Sequence, residues 1–150
     1  MNVLKRKESQ SMKTPSLEAS RWLEQAEDDL NFARYAMNGK FFHQVCFICQ
    51  QSSEKALKAV YYADGARNVL GHSVTALIKN ICEKHPALGK FFDAAAELDL
   101  YYIPTRYPNG LVEGTPKGAF TRSQAERALN IADMIIQGVR AEMTLISEGD

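Results

Sequence analysis

The sequence lacks the long apolar runs of a membrane protein and has no excess of charge of one sign. No apolar stretch approaches the roughly 18 residues that suggest a membrane-spanning helix, and residues 1–13, MNVLKRKESQSMK, lack the apolar middle of a signal peptide. Lysine plus arginine and aspartate plus glutamate both number 18, so the formal net charge is zero. We therefore expect a cytoplasmic protein without membrane contact, and any nucleic-acid site must be a local patch.

Cysteine is scarce, and the common motifs for metals and cofactors are missing. The chain has three cysteines, an odd number that fits a reducing compartment better than a disulfide scaffold. Cys46 and Cys49 form a CxxC pair, but both fall on the apolar face of a predicted helix and no second pair accompanies them. The sequence contains no P-loop, GxGxxG, HExxH or zinc-type spacing. We therefore expect no metal and no cofactor.

Strand-type alternation is also absent, whereas helical periodicity is strong between Phe41 and Tyr62. Small and apolar side chains there recur three or four positions apart, which places them on one face of a central helix. This face comprises Phe42, Val45, Cys46, Cys49, Ser53, Ala56, Leu57 and Val60. The other rows, expected to face solvent or a partner, are Gln44, Gln51, Lys55 and Lys58, and Phe47, Gln50, Glu54 and Tyr61. In the simplest interpretation, Glu54 and Lys58 form an exposed ion pair.

The first helix has clear signals at both ends. Thr14 or Ser16 can cap its free amides, and Asn38-Gly39 ends it because glycine readily adopts the left-handed conformation. Residues 1–13 precede this helix and are expected to form a flexible basic tail. The single domain is predicted to occupy residues 14–148.

Further helices and a long loop complete the chain. The loop, residues 103–120, contains prolines and glycines but no periodicity. The last helix opens with a capping box in which the Thr121 and Gln124 side chains satisfy each other's amides. Between the central helix and the loop, helices are predicted from His72 or Ser73 to Pro86 and from Leu88 to Tyr102. The predicted fold class is all-α, an up-and-down four-helix-bundle core with an extra short helix and a long loop before the last helix.

The densest group of chemically useful side chains lies where the long loop begins, in Tyr101-Tyr102-Ile103-Pro104-Thr105-Arg106-Tyr107-Pro108-Asn109. Its prolines hold the backbone extended, Arg106 supplies a planar fork suited to phosphate, and the tyrosines offer faces on which a base can stack. This composition favours a nucleotide-binding edge. The alternative is a loop that crosses the end of the bundle, with its tyrosines filling the core and Arg106 pairing with a carboxylate such as Asp99.

A second group, Arg67-Asn68-Val69-Leu70-Gly71-His72, sets an arginine and a histidine near a predicted helix start. Arg67 could hold a phosphodiester and His72 could move a proton, since an unperturbed histidine titrates near neutrality. His72 could equally be a helix cap or a hydrogen-bond donor within the loop. His43 and His85 have no obvious partners in the sequence and are expected to be structural.

The order of these motifs along the chain resembles that of the HEPN domain family. HEPN domains are small helical domains found in prokaryotes and some higher eukaryotes and thought to bind nucleotides. The likeness covers about residues 16–139. It is carried by Trp22 with Ala26-Glu27-Asp28-Asp29-Leu30, Cys46-Phe47 with Gln50-Gln51 and Glu54-Lys55-Ala56-Leu57-Lys58, Gly71-His72 with Leu77, and Tyr102-Ile103-Pro104-Thr105-Arg106-Tyr107-Pro108. The resemblance implies a four-helix bundle, usually a homodimer, often encoded beside or fused to a minimal nucleotidyltransferase. Such pairs look like toxin–antitoxin modules, or like a nucleotidyltransferase with its substrate-binding subunit.

The resemblance also makes the central helix and the long loop the expected ligand site. Many relatives are metal-independent ribonucleases with an arginine, four to six further residues and a histidine near a late helix, but no histidine follows Arg106 at that distance. Arg67 and His72 have the spacing, although they lie between the second and third predicted helices. The ligand-binding candidates implied by the resemblance are Gln51, Glu54 and Lys58 on the helix, and Thr105, Arg106 and Tyr107 in the loop.

We therefore expect nucleotide or RNA-phosphate binding without catalysis, by a HEPN homodimer that acts with a nucleotidyltransferase partner in a toxin–antitoxin-like or substrate-binding pair. One alternative is a metal-independent endoribonuclease toxin that uses Arg67 and His72. The other alternative is a structural dimerisation module, in which the apolar and aromatic helix faces are the working surface.

Overall fold

Every regular element of the described chain is a helix. The computed structural model describes residues 14–149, so the predicted basic tail, residues 1–13, lies outside the described residues. The helices are α1 (Pro15–Asn38), α2 (Phe42–Ala63), α3 (Val74–Ile81), α4 (Phe92–Asp99), α5 (Pro116–Ala119) and α6 (Arg122–Gly149), with 3₁₀ helices at Pro86–Phe91 and Pro108–Gly110. The all-α prediction is confirmed. None of these helices is long and apolar enough to cross a membrane.

The ends of α1 follow the predicted signals in part. The Thr14 hydroxyl accepts a hydrogen bond from the Leu17 amide at 3.2 Å, so Thr14 is the N-cap. At the other end the expectation of a left-handed glycine is wrong, because Gly39 has a φ of −84° and Lys40 has a φ of +61°. A Cβ at Gly39 would stand 2.6 Å from the Phe41 ring, so a larger residue there would require this exposed ring to shift.

α2 is the centre of the bundle and packs against both α1 and α6. Its predicted inward face is confirmed, since Val45, Cys46, Cys49, Leu57 and Val60 are all 0% exposed. These side chains form the core together with the inward faces of the two flanking long helices, a set that includes Ala26, Leu30, Ala33, Ile131, Ile135 and Val139.

Three polar residues of α2 that were predicted to lie on rows facing solvent or a partner are buried, and we call these three residues the polar row. Gln50, Glu54 and Lys58 are 0%, 4% and 6% exposed, so the predicted exposed ion pair is a buried one. The segment between α2 and α4 folds across this row, where the Gln50 side chain donates to the His72 carbonyl at 2.7 Å. Helical periodicity identified the row, but only this tertiary contact determines that the row is covered.

The start of α3 is capped by a residue from another helix. The Asp99 carboxylate, at the end of α4, accepts hydrogen bonds from the Val74 and Thr75 amides at 2.9 and 3.0 Å and from the Ser73 hydroxyl at 3.0 Å. Negative charge at a helix N-terminus is favourable because it meets the free amides and the positive end of the helix dipole. Asp99 is thereby engaged away from Arg106, so the alternative in which these two residues pair is wrong.

The predicted helix from Leu88 to Tyr102 is shorter in the structure. A 3₁₀ helix covers Pro86–Phe91, α4 spans Phe92–Asp99, and turns follow. In contrast, the capping box of α6 is confirmed. The Thr121 amide donates to Gln124 Oε1 at 2.9 Å, and the Gln124 amide donates to Thr121 Oγ1 at 3.2 Å.

His85 has partners that its sequence neighbourhood did not show. Its Nε2 lies 2.8 Å from Asp64 Oδ2, and its Nδ1 lies 2.8 Å from Glu142 Oε2. Both partners are carboxylates, which accept hydrogen bonds when ionised, so each contact is a hydrogen bond when the facing ring nitrogen donates. This buried group joins the end of α2 to α6.

We expect His85→Ala to lower the free energy of unfolding by about 3 kcal/mol, because it leaves two largely buried carboxylates without their shared hydrogen-bond partner. Urea unfolding followed by circular dichroism measures this change. Lys84→Ala is the matched control, since Lys84 also pairs with Asp64, at 3.5 Å, but its side chain is 66% exposed. The control should change stability by less than about 0.5 kcal/mol, and equal effects of the two variants would contradict the role of His85.

We expect one of the three cysteines to react with Ellman's reagent at pH 8 in the native protein. Burial raises the pKa of Cys46 to about 12 and raises the pKa of Cys49 further, so both remain protonated thiols, and the thiolate is the reactive form. Cys82 is partly exposed and should be the reactive residue. All three cysteines should react in denaturant. Rapid reaction of Cys46 or Cys49 in the native protein would contradict the burial of these two side chains in the core.

Candidate functional site

A large open groove lies along α1, away from the residues that the sequence suggested. Its volume is about 750 Å³, and none of the six predicted ligand-binding residues lines it. The carboxylates in it are partly neutralised, since Glu18 pairs with Arg21 and Glu27 pairs with Arg140. Four carboxylates and two cations line the groove, which does not suit the phosphate expected from the sequence, and the more distinctive chemistry is elsewhere.

That chemistry is centred on the ring of Tyr102, just after α4. The His72 ring stacks on the Tyr102 ring with centroids 5.3 Å apart and planes inclined by 18°. The Arg106 Cζ atom lies 4.4 Å from the Tyr102 centroid, 4.7 Å from that of Phe47 and 5.1 Å from that of Tyr107. We call these five residues (Phe47, His72, Tyr102, Arg106 and Tyr107) the Tyr102 cluster.

The turn after α4 places the guanidinium of Arg106. The Arg106 amide donates to the Ile103 carbonyl at 3.1 Å, and its side-chain Nε donates to the Tyr102 carbonyl at 2.8 Å. Thr105 is 1% exposed, and its hydroxyl donates to the Tyr101 carbonyl. The buried Thr105 side chain thus stabilises the turn through its hydrogen bond. The guanidinium of Arg106 is held against aromatic rings.

Arg106 is a half-buried cation without an acidic partner within residues 14–149. Four other arginines of the described residues do have such partners, whereas Arg67 and Arg122 do not. Arg34 pairs with Asp133 at 3.0 Å, and Arg127 pairs with Glu97 at 2.9 Å. A guanidinium that aromatic rings desolvate, and that no carboxylate neutralises, attracts an anion from solution.

His72 is held from two sides. Its Nδ1 lies 3.0 Å from Glu54 Oε1, and its backbone carbonyl accepts the hydrogen bond from Gln50. The side chain of His72 is nevertheless 63% exposed, so its ring reaches solvent beside Tyr102. Behind it, Lys58 Nζ lies 3.5 Å from Glu54 Oε2 and 5.8 Å from the Trp22 ring centroid.

The structure brings together some of the sequence-predicted residues and separates others. Arg106 and Tyr107 belong to the Tyr102 cluster, and Glu54 joins it through His72. Lys58 lies behind Glu54, and Gln51 is half-buried with its amide donating to Gln50 Oε1 at 2.7 Å.

The structure does not join Arg67 to His72. Arg67 is exposed and makes no ion pair or side-chain hydrogen bond within residues 14–149. His72 instead meets Arg106 at the ring of Tyr102. Phe47, Gln50 and Tyr102 were not among the ligand-binding candidates predicted from the sequence, although Tyr102 stood in the group of side chains at the start of the long loop. For Phe47 and Gln50 the available signal was their helical spacing from Glu54, which puts all three on one row of α2.

The chemistry of this arrangement is that of an anion site beside stacking surfaces. It combines a guanidinium fork, an exposed imidazole and a half-exposed ring on Tyr107. Within the described residues, no three His, Cys, Asp or Glu side chains converge in a way that could hold a metal ion. The protein groups that could contact a ligand here are thus a cation, an imidazole and aromatic faces.

Comparison with known proteins agrees with this architecture. The family model described as HEPN domain matches residues 19–142. The crystal structure of TT1696 from Thermus thermophilus is similar, with a TM-score of 0.78 and 36% identity over 82% of this chain and 96% of that one. The crystal structure of ST0689, an archaeal HEPN homologue, has a TM-score of 0.70 and 33% identity over 88% of this chain and 99% of its own.

Similarity also extends to one much larger human protein. Sacsin of Homo sapiens is 32% identical over 124 residues, which are 80% of this chain and 3% of sacsin. A HEPN domain protein from Thermotoga maritima is 30% identical with a TM-score of 0.66, over 83% of this chain and 98% of its own. Because the family model covers most of the chain and the aligned folds agree over nearly their whole lengths, this chain belongs to the HEPN domain family.

Proposed function

We propose that this HEPN domain binds a nucleotide or an RNA phosphate at the Tyr102 cluster. The observation that carries the proposal is Arg106, a half-buried guanidinium placed against three aromatic rings and without an acidic partner in the described chain. Leaving a charge partly desolvated is costly unless an opposite charge compensates it. A bound phosphate would supply that charge.

The geometry of Arg106 suits a phosphate in particular. Its Nε is already used by the Tyr102 carbonyl at 2.8 Å, so the two terminal nitrogens remain as donors. Two parallel N–H donors match two oxygens of a phosphate, which is the arrangement that distinguishes arginine from lysine at such sites. Tyr107, which is 50% exposed, offers a face on which a base can stack next to that phosphate.

We extend the proposal to partners through the family. HEPN domains often dimerise, and the proposed assembly is a homodimer that acts with a minimal nucleotidyltransferase, in a toxin–antitoxin-like or substrate-binding pair. The proposed role is binding without catalysis, because the chain lacks the late-helix arginine and histidine spacing of the ribonuclease members after Arg106. The dimerisation-module alternative stays a prediction that gel filtration of the purified protein would test.

One observation favours a second candidate, a metal-independent endoribonuclease. An exposed imidazole held by a carboxylate is an arrangement suited to general acid–base chemistry, and His72 has it through Glu54 at 3.0 Å. The arginine in this candidate is Arg106 instead of Arg67, since Arg106 and His72 contact the same Tyr102 ring. The two candidates share a phosphate site and differ in whether the bound RNA is cleaved.

We expect Arg106→Ala to weaken the binding of nucleotides and short RNAs by roughly 10- to 100-fold, because it removes charge-assisted hydrogen bonds worth about 1.5–3 kcal/mol. Isothermal titration calorimetry in the presence of a chelator measures this loss. Arg122→Ala is the matched control, because Arg122 also lies over an aromatic ring, Phe42 at 5.0 Å, but outside the Tyr102 cluster. Unchanged affinity in a folded Arg106→Ala protein would refute the site.

Incubation of the chelator-treated protein with a mixed RNA pool distinguishes the binding role from the ribonuclease candidate. Cleavage that disappears in His72→Ala and persists in Arg67→Ala would establish the ribonuclease candidate with the geometry described above. Intact RNA at all protein concentrations, together with measurable binding, would eliminate that candidate and leave the binding role. Gel electrophoresis of the RNA over time provides the readout.

A further inference from the structure

Glu54 and Lys58 are too deeply buried to be ligand contacts of the usual kind. They are 4% and 6% exposed, whereas the His72 side chain in front of them is 63% exposed. Glu54 uses its two oxygens on opposite sides, with Oε1 at 3.0 Å from His72 Nδ1 and Oε2 at 3.5 Å from Lys58 Nζ. The carboxylate therefore links a buried ammonium group to the exposed imidazole.

This link determines which nitrogen of His72 carries the proton. The ammonium of Lys58 stabilises the ionised form of Glu54, because a buried carboxylate without a cation would favour its neutral form. An ionised carboxylate can only accept hydrogen bonds, so the proton between the two groups belongs to His72 Nδ1. In the neutral ring the other nitrogen, Nε2, is then an acceptor.

Contacts with Gln50, Asp99 and Tyr102 determine the position of the His72 ring. Gln50, which is 0% exposed, donates to the His72 carbonyl at 2.7 Å. Asp99 holds the Val74 amide, two residues further on, at 2.9 Å. The ring itself stacks on Tyr102, against which Arg106 also lies. Nε2 makes no hydrogen bond within residues 14–149, so it is available to a ligand.

We propose that Lys58 and Glu54 are positioning residues that hold His72 in the Nδ1-protonated tautomer, so that Nε2 accepts a hydrogen bond from a ligand hydroxyl beside the phosphate at Arg106. The ligand class that this selects is a ribonucleotide whose 2′-hydroxyl neighbours its phosphate. The 2′-hydroxyl is the group by which proteins distinguish RNA from DNA. The ligand step rests on the proposed phosphate site, whereas the tautomer step does not.

Nitrogen-15 NMR of the ligand-free protein tests the tautomer step. At a pH where the ring is neutral, the unprotonated nitrogen resonates well downfield of the protonated one, which identifies the tautomer directly. We expect Nδ1–H in the wild type and a shift of the population to Nε2–H in Lys58→Met, because the uncompensated Glu54 takes up a proton and becomes a donor to Nδ1.

Lys55→Met is the matched control for this change. Lys55 lies one turn earlier on α2 and pairs with Asp29 at 2.5 Å, so its loss also removes an ion pair but leaves Glu54 alone. The His72 tautomer should not change in Lys55→Met. Lys58→Arg retains the charge and should retain the wild-type tautomer. Lys58→Met keeps an apolar stem beside Trp22, so a role of Lys58 in packing alone would not predict the shift expected for that variant.

Glu54→Gln keeps the proposal falsifiable if Lys58→Met does not fold. Glutamine has nearly the same shape as glutamate. When its carbonyl oxygen accepts from the Lys58 ammonium, its NH₂ group faces Nδ1 and can only donate, so we expect the same shift to Nε2–H. A wild-type His72 that is protonated at Nε2, or a tautomer unchanged in folded Glu54→Gln, would overturn the assignment of Glu54 and Lys58.

A pair of ligands that differ only in one hydroxyl tests the ligand step. We expect wild-type protein to bind 3′-AMP more tightly than 2′-deoxy-3′-AMP by roughly fivefold, the value of one ordinary hydrogen bond. Lys58→Met should lose this preference while keeping its affinity for the deoxy ligand, which Arg106 holds. Equal wild-type affinities would overturn the hydroxyl contact alone. Binding of neither ligand would overturn the phosphate site, and the tautomer experiment would still decide the role of Lys58 and Glu54.

Discussion

The constraint on which this structure depends is that α2 carries polar side chains into the interior. A buried polar group without a partner costs about 1–3 kcal/mol, so each such group must be satisfied from a neighbouring element. The Ser52 hydroxyl donates to the Ala26 carbonyl of α1 at 2.7 Å, and the Gln50 amide donates to the His72 carbonyl at 2.7 Å. Among the described side chains, the Ser53 hydroxyl is the exception, buried and without a partner. Burial of the polar row thus specifies which segments lie against α2.

The Tyr102 cluster is a consequence of the same constraint. The bonds from Gln50 and Asp99 hold the segment before α3 against α2 and α4, which places His72 next to Tyr102. The turn that Thr105 stabilises places Arg106 at the same ring. Two groups that are distant in sequence therefore share one aromatic surface. Arg106 has no acidic partner within residues 14–149, and Asp99 is engaged in capping α3. The contrast between Arg106 and the arginines of α1 and α6 that pair with acids is why we propose this surface as a phosphate site.

Local features of the sequence predicted the fold well. The apolar row of α2, the cap at Thr14 and the capping box of Thr121 and Gln124 all depend on residues within one or two turns of each other, and the structure confirms them. The site was predicted less completely. Arg106 was identified because its planar fork suits phosphate and tyrosines stand beside it in the sequence. In contrast, the burial of Glu54 and the pairing of His85 with Asp64 and Glu142 depend on segments that meet only in three dimensions.

The sequence by itself determined that the protein is helical, where its long helices run and which family it resembles. The physical reason is that helical periodicity and end caps involve residues close together in the sequence, so a short stretch of sequence is enough to recognise them. Only the tertiary structure decided that Glu54 and Lys58 are a buried pair, that Asp99 caps α3 and that Arg106 has no acidic partner within residues 14–149. Burial, desolvation and the choice of a charge's partner depend on which distant segments fold over it, and the order of residues along one helix does not contain that information.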